Sequence, residues 1–451
     1  MSDVLADLPK FIADSEPWFR DSLRTLVEQA TISPGASDQA PILAGVEVAA
    51  ELLRECGAEV DIVPSAGTPS LVARFGHPAP KARMVIYNHF DVQPADPSKW
   101  KQEDPFRFEV REDAEREFLY LGRGTTDDKG PALCALRAAQ WLKQHEVPVE
   151  VVLLWETEEE IGSPNFGDVL QAKKELLTAD AVIVSDTIWP SADTPAISSG
   201  LRGGLVARLN LRTAGKEVHS GLTGGAARNP VQELAALVTA IDEAGFWKQG
   251  VDPITEDEIE GFMRSGFETE YFRSSHELEL LETEVPLEIM LRLWARPSFE
   301  VHGLIGGYAG PGIKSSVPSE AEARISFRIV PSQDPDKLFD ALQRFVSDFN
   351  PDVSLERFSS FMPYQGPISG PVHDAIVHGM SEAFGKQPAL VREGGSIGAV
   401  PLMQQHLGVP VHFLPLSLPE HGYHAPNERF DWKQAKGGIA AYVHALTKLV
   451  S

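Results

Sequence analysis

Residues 130–163 read GPALCALRAAQWLKQHEVPVEVVLLWETEEEIGS: a helix-like segment, a short break, an apolar run, then four carboxylates within eight residues. The run VEVVLLW suits a buried strand, and a second such run at 83–87 ends in NHFD. A helix between two buried strands is the unit of an α/β layer, and the alternation continues through residue 186. We therefore expect a mainly parallel central sheet, with ligands gathered at the carboxyl ends of its strands. Upstream, Trp18, Leu23, Leu26 and Val27, then Ile42, Val46, Ala49, Leu52 and Leu53, recur at helical spacing.

After Gly200 the texture changes. GLVARLNLR and EAEARISFRIV (320–330) alternate apolar and polar positions, as strands with one wet face do. Helical patterns return at 335–349 and 371–385, whereas 246–300 is rich in acids and aromatics without a clear period. The end of the chain, with helix-like SIGAVPLMQQH, strand-like VPVHFLPL and a final helix from about Trp432, resumes the first texture. The division expected is a discontinuous first domain, 1–204 and 381–451, interrupted by an α+β domain at 205–380. A length of 451 residues fits two domains.

A formal charge of −25 argues against a nucleic-acid surface, which needs a basic footprint. The two cysteines, Cys56 and Cys134, provide no disulfide framework. The N-terminus lacks the basic start and apolar core of a signal peptide, and no uncharged 18-residue apolar run occurs, so the default is a cytoplasmic protein without a membrane partner.

Five segments carry the chemistry: NHFDVQPAD (88–96), GRGTTDDKGP (122–131), ETEEEIGS (156–163), VSDTIW (184–189) and HGYHAPNE (421–428). Singly, each has an ordinary explanation. His89 and Asp91 could be a hydrogen-bonded pair at a strand end, Asp127 and Asp128 could cap a helix whose first turn holds Pro131, and the glutamates could form a solvated loop. GRGTTD fails as a phosphate loop, because Asp127 stands where the third glycine is required and no G-K-[ST] follows. Asp186 ends the buried run AVIVS, where an acid is costly unless paired or metal-bound. Together the segments offer oxygen and imidazole ligands enough for two divalent ions, and hydrolysis of an amide bond is the leading reading. A metal cluster needs its ligands in one small volume, so the histidines at 421–424 must return to the first domain.

In order and spacing, H-x-D, G-R-G-x-x-D-D-K-G-P, E-E-x-G-S, S-D and H-x-x-N-E resemble the M20 family of metallopeptidases. GRGTTDDKGP with REGGSIG (392–398) looks most like its carnosinase and bacterial dipeptidase branch. The resemblance implies a zinc-peptidase-like catalytic domain with an inserted lid or dimerisation domain. It also implies ligand roles: His89 and Asp186 on one metal, Glu160 and His424 on the other, Asp127 between them. Glu159 would be the general base and Asp91 a support behind the ligands, with a cis peptide joining Asp127 to Asp128. His219, in EVHSG, would polarise the scissile carbonyl or stabilise its oxyanion, reaching the site from the neighbouring subunit in dimeric relatives, and Arg328 and Ser396 would grip the substrate's terminal carboxylate. Tyr423 and Ala425 depart from the residues common beside the ligand histidine.

Charge supports two ions. Three ligating carboxylates and a hydroxide balance four positive charges, which leaves Glu159 outside the neutral core. Mixed oxygen and nitrogen ligands suit zinc first, then manganese or cobalt. The function expected is di-metal hydrolysis of dipeptides or short peptides with a free C-terminus, by a homodimer. A deacylase of N-acyl amino acids is the alternative within enzymes, and a non-catalytic peptide-binding protein on the same scaffold is the alternative outside them.

Overall fold

The computed structural model describes residues 4–451. A six-stranded sheet lies at its centre, in the order Glu59–Val63, Ser70–Phe75, Val149–Glu156, Ala82–His89, Ala181–Val184, Val411–Phe413. The last four strands pair in parallel, and Ser70–Phe75 joins them antiparallel. Every residue of Val149–Glu156 and Ala181–Val184 is buried. Both faces are covered, so these strands read as unbroken apolar runs rather than as alternation.

Side chains leave the two faces by turns. Met84, Ile86, Val151 and Leu153 enter one core, where the helices Ala40–Glu55, Gly130–Gln144 and Trp432–Leu449 pack. Val85, Tyr87, Val152 and Leu154 enter a second core beneath the helices Phe166–Ala172 and Ala399–Leu407. Cys56 and Cys134 are both buried and free.

A second sheet is entirely antiparallel, in the order Ser298–Gly306, Glu320–Ile329, Gly203–Arg212, Ser354–Phe361. Its buried face meets Leu234, Leu237 and Ile241 of the helix Pro230–Ala244, and Leu338, Leu342 and Val346 of Pro335–Phe349. Asn229 and Asp334 cap these helices, each accepting two backbone N–H bonds ahead of a proline in the first turn.

The sequence pattern closes the insertion at 380, but packing returns the chain to the first core earlier. The helix Pro371–Phe384 places Ile376 and Met380 there and lies so close to Trp432–Leu449 that a Cβ on Gly379 would stand 2.3 Å from the Ala441 carbonyl oxygen. The segment without a readable period holds three short α-helices, Glu256–Met263, Thr269–Ser275 and Pro286–Met290, and a π-turn, Leu291–Ala295, and contributes Phe262, Met290 and Trp294 to the same core. Helices of five to eight residues show too few turns for a period to emerge. Among the described residues, no helix is long and apolar enough to cross a membrane.

Candidate metal centre

Adjacent parallel strands end together, with His89 in register with Glu156, so the segments that follow them converge at one edge of the sheet. Asp186 follows the strand Ala181–Val184, and Asp127 and Asp128 precede the helix Gly130–Gln144. Neither aspartate caps that helix by a side-chain bond. Both turn to the cluster instead, across a cis peptide.

Asp127 joins the two halves. Its Oδ1 lies 2.8 Å from His89 Nε2, and its Oδ2 lies 3.1 Å from His424 Nε2. The same His424 nitrogen is 3.1 Å from Glu160 Oε2, while His89 Nε2 is 3.9 Å from Asp186 Oδ2. Two groups compact enough to hold an ion result, one of His89, Asp128 and Asp186 and one of Asp127, Glu160 and His424.

Asp91, fully buried, positions this centre from behind. Its carboxylate accepts the backbone N–H of Glu159 (3.1 Å) and of Glu160 (3.0 Å) and the Ser33 hydroxyl, and its carbonyl oxygen is 3.0 Å from His89 Nδ1. A histidine that gives its second ring proton to such a partner presents the other nitrogen to a metal in one fixed orientation.

Electrostatics test whether cations fit. Burial pushes the Asp128 carboxyl up to about 8, and burial likewise raises Glu159 and Asp186, each further raised by acids beside it. Burial would raise Asp127 too, but contacts with His424 and His89 hold it below the usual carboxylate range. His424 is driven up to about 11 by Asp127 and Glu160. Protons on the imidazoles thus supply positive charge that the carboxylates demand. Asp128 Oδ1 is buried without a hydrogen-bond partner. Divalent cations satisfy this donor set better than protons, because they neutralise several acids at once.

Four supporting residues were not identified from sequence. Glu428 is completely buried and takes the backbone N–H groups of Gly124 (2.8 Å), Thr126 (2.9 Å) and Asp127 (3.1 Å) with an ion pair from Arg123 (2.8 Å), so it fixes the loop that carries Asp127. Asn88 holds Asp128 at 2.7 Å, Gln93 holds Glu160 at 2.7 Å, and the Tyr423 hydroxyl lies 3.4 Å from Asp186. Glu428 stands inside the H-x-x-N-E motif, yet its partners are about 300 residues away in the chain, beyond any local pattern.

Of the two histidines in HGYHAPNE, His421 is structural. Its ring lies 3.0 Å from Asp431 and accepts the Leu418 N–H. His424, in left-handed backbone at φ 54°, alone of the pair meets Asp127 and Glu160. Arg328 and Ser396, 68 residues apart, meet at 3.0 Å. His219 is exposed, and its ring accepts the Gly221 N–H within its own segment, so the chain does not gather it into its own cluster.

Two neighbouring histidine and carboxylate groups, with Asp127 in contact with the histidine of each, stand at the ends of parallel strands as they do in a metal-dependent hydrolase. The chain belongs to peptidase family M20/M25/M40, whose model matches residues 85–448. It is 27% identical to the Beta-Ala-His dipeptidase of Rattus norvegicus, over 100% of this chain and 97% of that protein. It is 30% identical to the Cys-Gly metallodipeptidase DUG1 of Candida albicans, over 87% of this chain and 85% of that protein. Among solved structures it superposes on the dipeptidase Dug1p of Saccharomyces cerevisiae with a TM-score of 0.86 and 25% identity, covering 100% of this chain and 99% of the other. Human carnosine dipeptidase 1 gives 0.84 and 25%, over 99% of each chain. M20 peptidases are di-metal enzymes.

Proposed function

We propose that this M20 peptidase hydrolyses dipeptides and short peptides with a free C-terminal carboxylate. The observation that carries the reading is Asp127 reaching His89 through one oxygen and His424 through the other. His89 and Asp186 would hold one ion, Glu160 and His424 the other, with Asp127 between them and zinc the first choice by affinity order. When bound, the ions polarise the scissile carbonyl and lower the pKa of water toward neutrality.

The chain's own residues do the rest. Glu159, its backbone fixed by Asp91, takes the proton of the attacking water and passes it to the leaving amine. Burial and neighbouring acids raise its carboxyl, which makes it a better proton acceptor than a solvated glutamate. Arg328, pre-aligned by Ser396, binds the terminal carboxylate and sets the register of the peptide.

His219 would complete the oxyanion site of a partner subunit. The inserted region, 205–380 by sequence and 203–249 with 298–361 by its separate core, suits that role. Its edge strand Ser298–Gly306 exposes Val301, Leu304 and Ile305, a surface open to a second copy. His219→Ala is expected to leave metal content unchanged and to lower kcat. Mixing that protein with Glu159→Gln subunits should restore activity, since one site of each mixed dimer regains both groups. Unchanged kinetics in His219→Ala would remove it from the mechanism.

The whole reading is tested by assaying unblocked dipeptides beside N-acetyl and N-succinyl amino acids, before and after chelation. Dipeptide cleavage that chelation abolishes and added zinc or manganese restores is the expected result. Cleavage of the N-acyl substrates alone would replace the dipeptidase with a deacylase. A cytoplasmic location accords with buried free cysteines.

A further inference from the structure

A cleft of about 890 Å³ adjoins the metal centre. Its lining includes Tyr423 and Ala425, on either side of His424, and Gly394 and Gly395, next to Ser396. A peptide with its scissile carbonyl at the metal cluster and its terminal carboxylate at Arg328 and Ser396 would lie beside this cleft, with its C-terminal side chain able to enter it. That orientation rests on the hydrolase reading above.

The charge of the lining runs against that of the chain. Lys99, Lys101, Arg202 and Arg429 line the cleft, and among the described residues none of the four is in an ion pair. The buried Arg202 guanidinium donates only to carbonyl oxygens, of Gly394 (2.9 Å), Arg292 (3.2 Å) and Arg296 (3.5 Å). Arg328, beside the cleft, has the Ser396 hydroxyl as its side-chain partner. The acids lining the cleft are mostly engaged. Glu420 is held by Arg116 and Tyr271, and Glu393 accepts the backbone N–H groups of Ile188, Gly394 and Gly395. Glu277 is the exception.

In a chain with a formal charge of −25, cations would readily find carboxylate partners, and elsewhere on this surface many do. Four left without one around a single cleft are poised for an anion that arrives from outside. Burial first and the Arg328 charge second lower the Arg202 guanidinium to about 10, while Glu393 and Glu300 offset part of that effect without pairing with it. We propose that the cleft selects peptides whose C-terminal residue carries a second carboxylate, aspartate or glutamate, with Arg202 and Arg429 as its contacts and Lys99 and Lys101 as rim charges that draw it in. Charge-assisted hydrogen bonds of this kind discriminate against the isosteric neutral amide by about ten- to a hundredfold.

The test compares Ala-Glu with Ala-Gln as ligands of zinc-loaded Glu159→Gln protein, in which turnover is silenced and Kd is read directly by calorimetry. Ala-Glu is expected to bind at least about tenfold tighter. The advantage should shrink in 0.5 M salt and in the Lys99→Gln, Lys101→Gln, Arg429→Gln triple variant, because rim charges act through a screened field. Equal affinities would overturn the proposal. So would an advantage indifferent to both salt and the variant, or one seen for Glu-Ala over Gln-Ala but not for Ala-Glu over Ala-Gln. Wild-type turnover of Ala-Glu judges the hydrolase reading separately: no turnover with the binding preference intact would sink that reading and leave the anion selectivity standing.

Discussion

Glu159→Gln is expected to keep both divalent ions and to lose turnover by about 10²- to 10⁴-fold or more. The backbone of Glu159 is anchored by Asp91, so the amide side chain should occupy the same place. Neither compact ligand group includes Glu159, and its removal as a base therefore subtracts no ligand. Burial raises its carboxyl first, His89 opposes that, and Glu160, Asp91 and Glu156 add to the rise. Glutamine keeps the shape and cannot carry the proton. Metal analysis beside kcat on one preparation checks this, and a variant that keeps most of its activity would exclude Glu159 as the base.

Asp127→Asn should be equally damaging by another route. Asp127 is the one carboxylate in contact with both His89 and His424, and each of its oxygens serves a different half of the site. An amide offers one neutral acceptor and turns donors toward an imidazole or a cation. Loss of an outer partner of a metal ligand costs about 10- to 100-fold in affinity, and loss of the shared ligand should exceed the upper figure. Stability should report it as well. Zinc at 100 times its Kd stabilises a folded protein by about 2.7 kcal/mol, so melts with and without zinc should separate for the wild type and coincide for Asp127→Asn. A variant that binds two ions with unchanged affinity would show that Asp127 is not shared.

Glu159 and Asp127 lie in segments that sequence alone singles out, but the supports behind them do not. Asp91 sits two residues from His89 and was legible as a helper, whereas the two backbone amides it holds are 68 and 69 residues away. Glu428 was visible only as a letter in a motif, because the three amides it clamps lie across the fold. The walls of the cleft come partly from 267–277, inside the stretch whose short helices leave no periodic trace.

What the sequence determined by itself was the α/β layer, the placement of acids and histidines at strand ends, and the family. Those features are local: a run of apolar residues buried on both faces, and polar groups where that run stops, are visible without knowing the partner strand. Only the tertiary structure decided how close His424 comes to Asp127 and Glu160, that Arg328 and Ser396 share a bond, that the helix Pro371–Phe384 belongs to the first core, and that His219 stays outside the cluster of its own chain. Each of those turns on distance between residues far apart in the chain, and a carboxylate's charge and partners are fixed by what folds against it rather than by what precedes it.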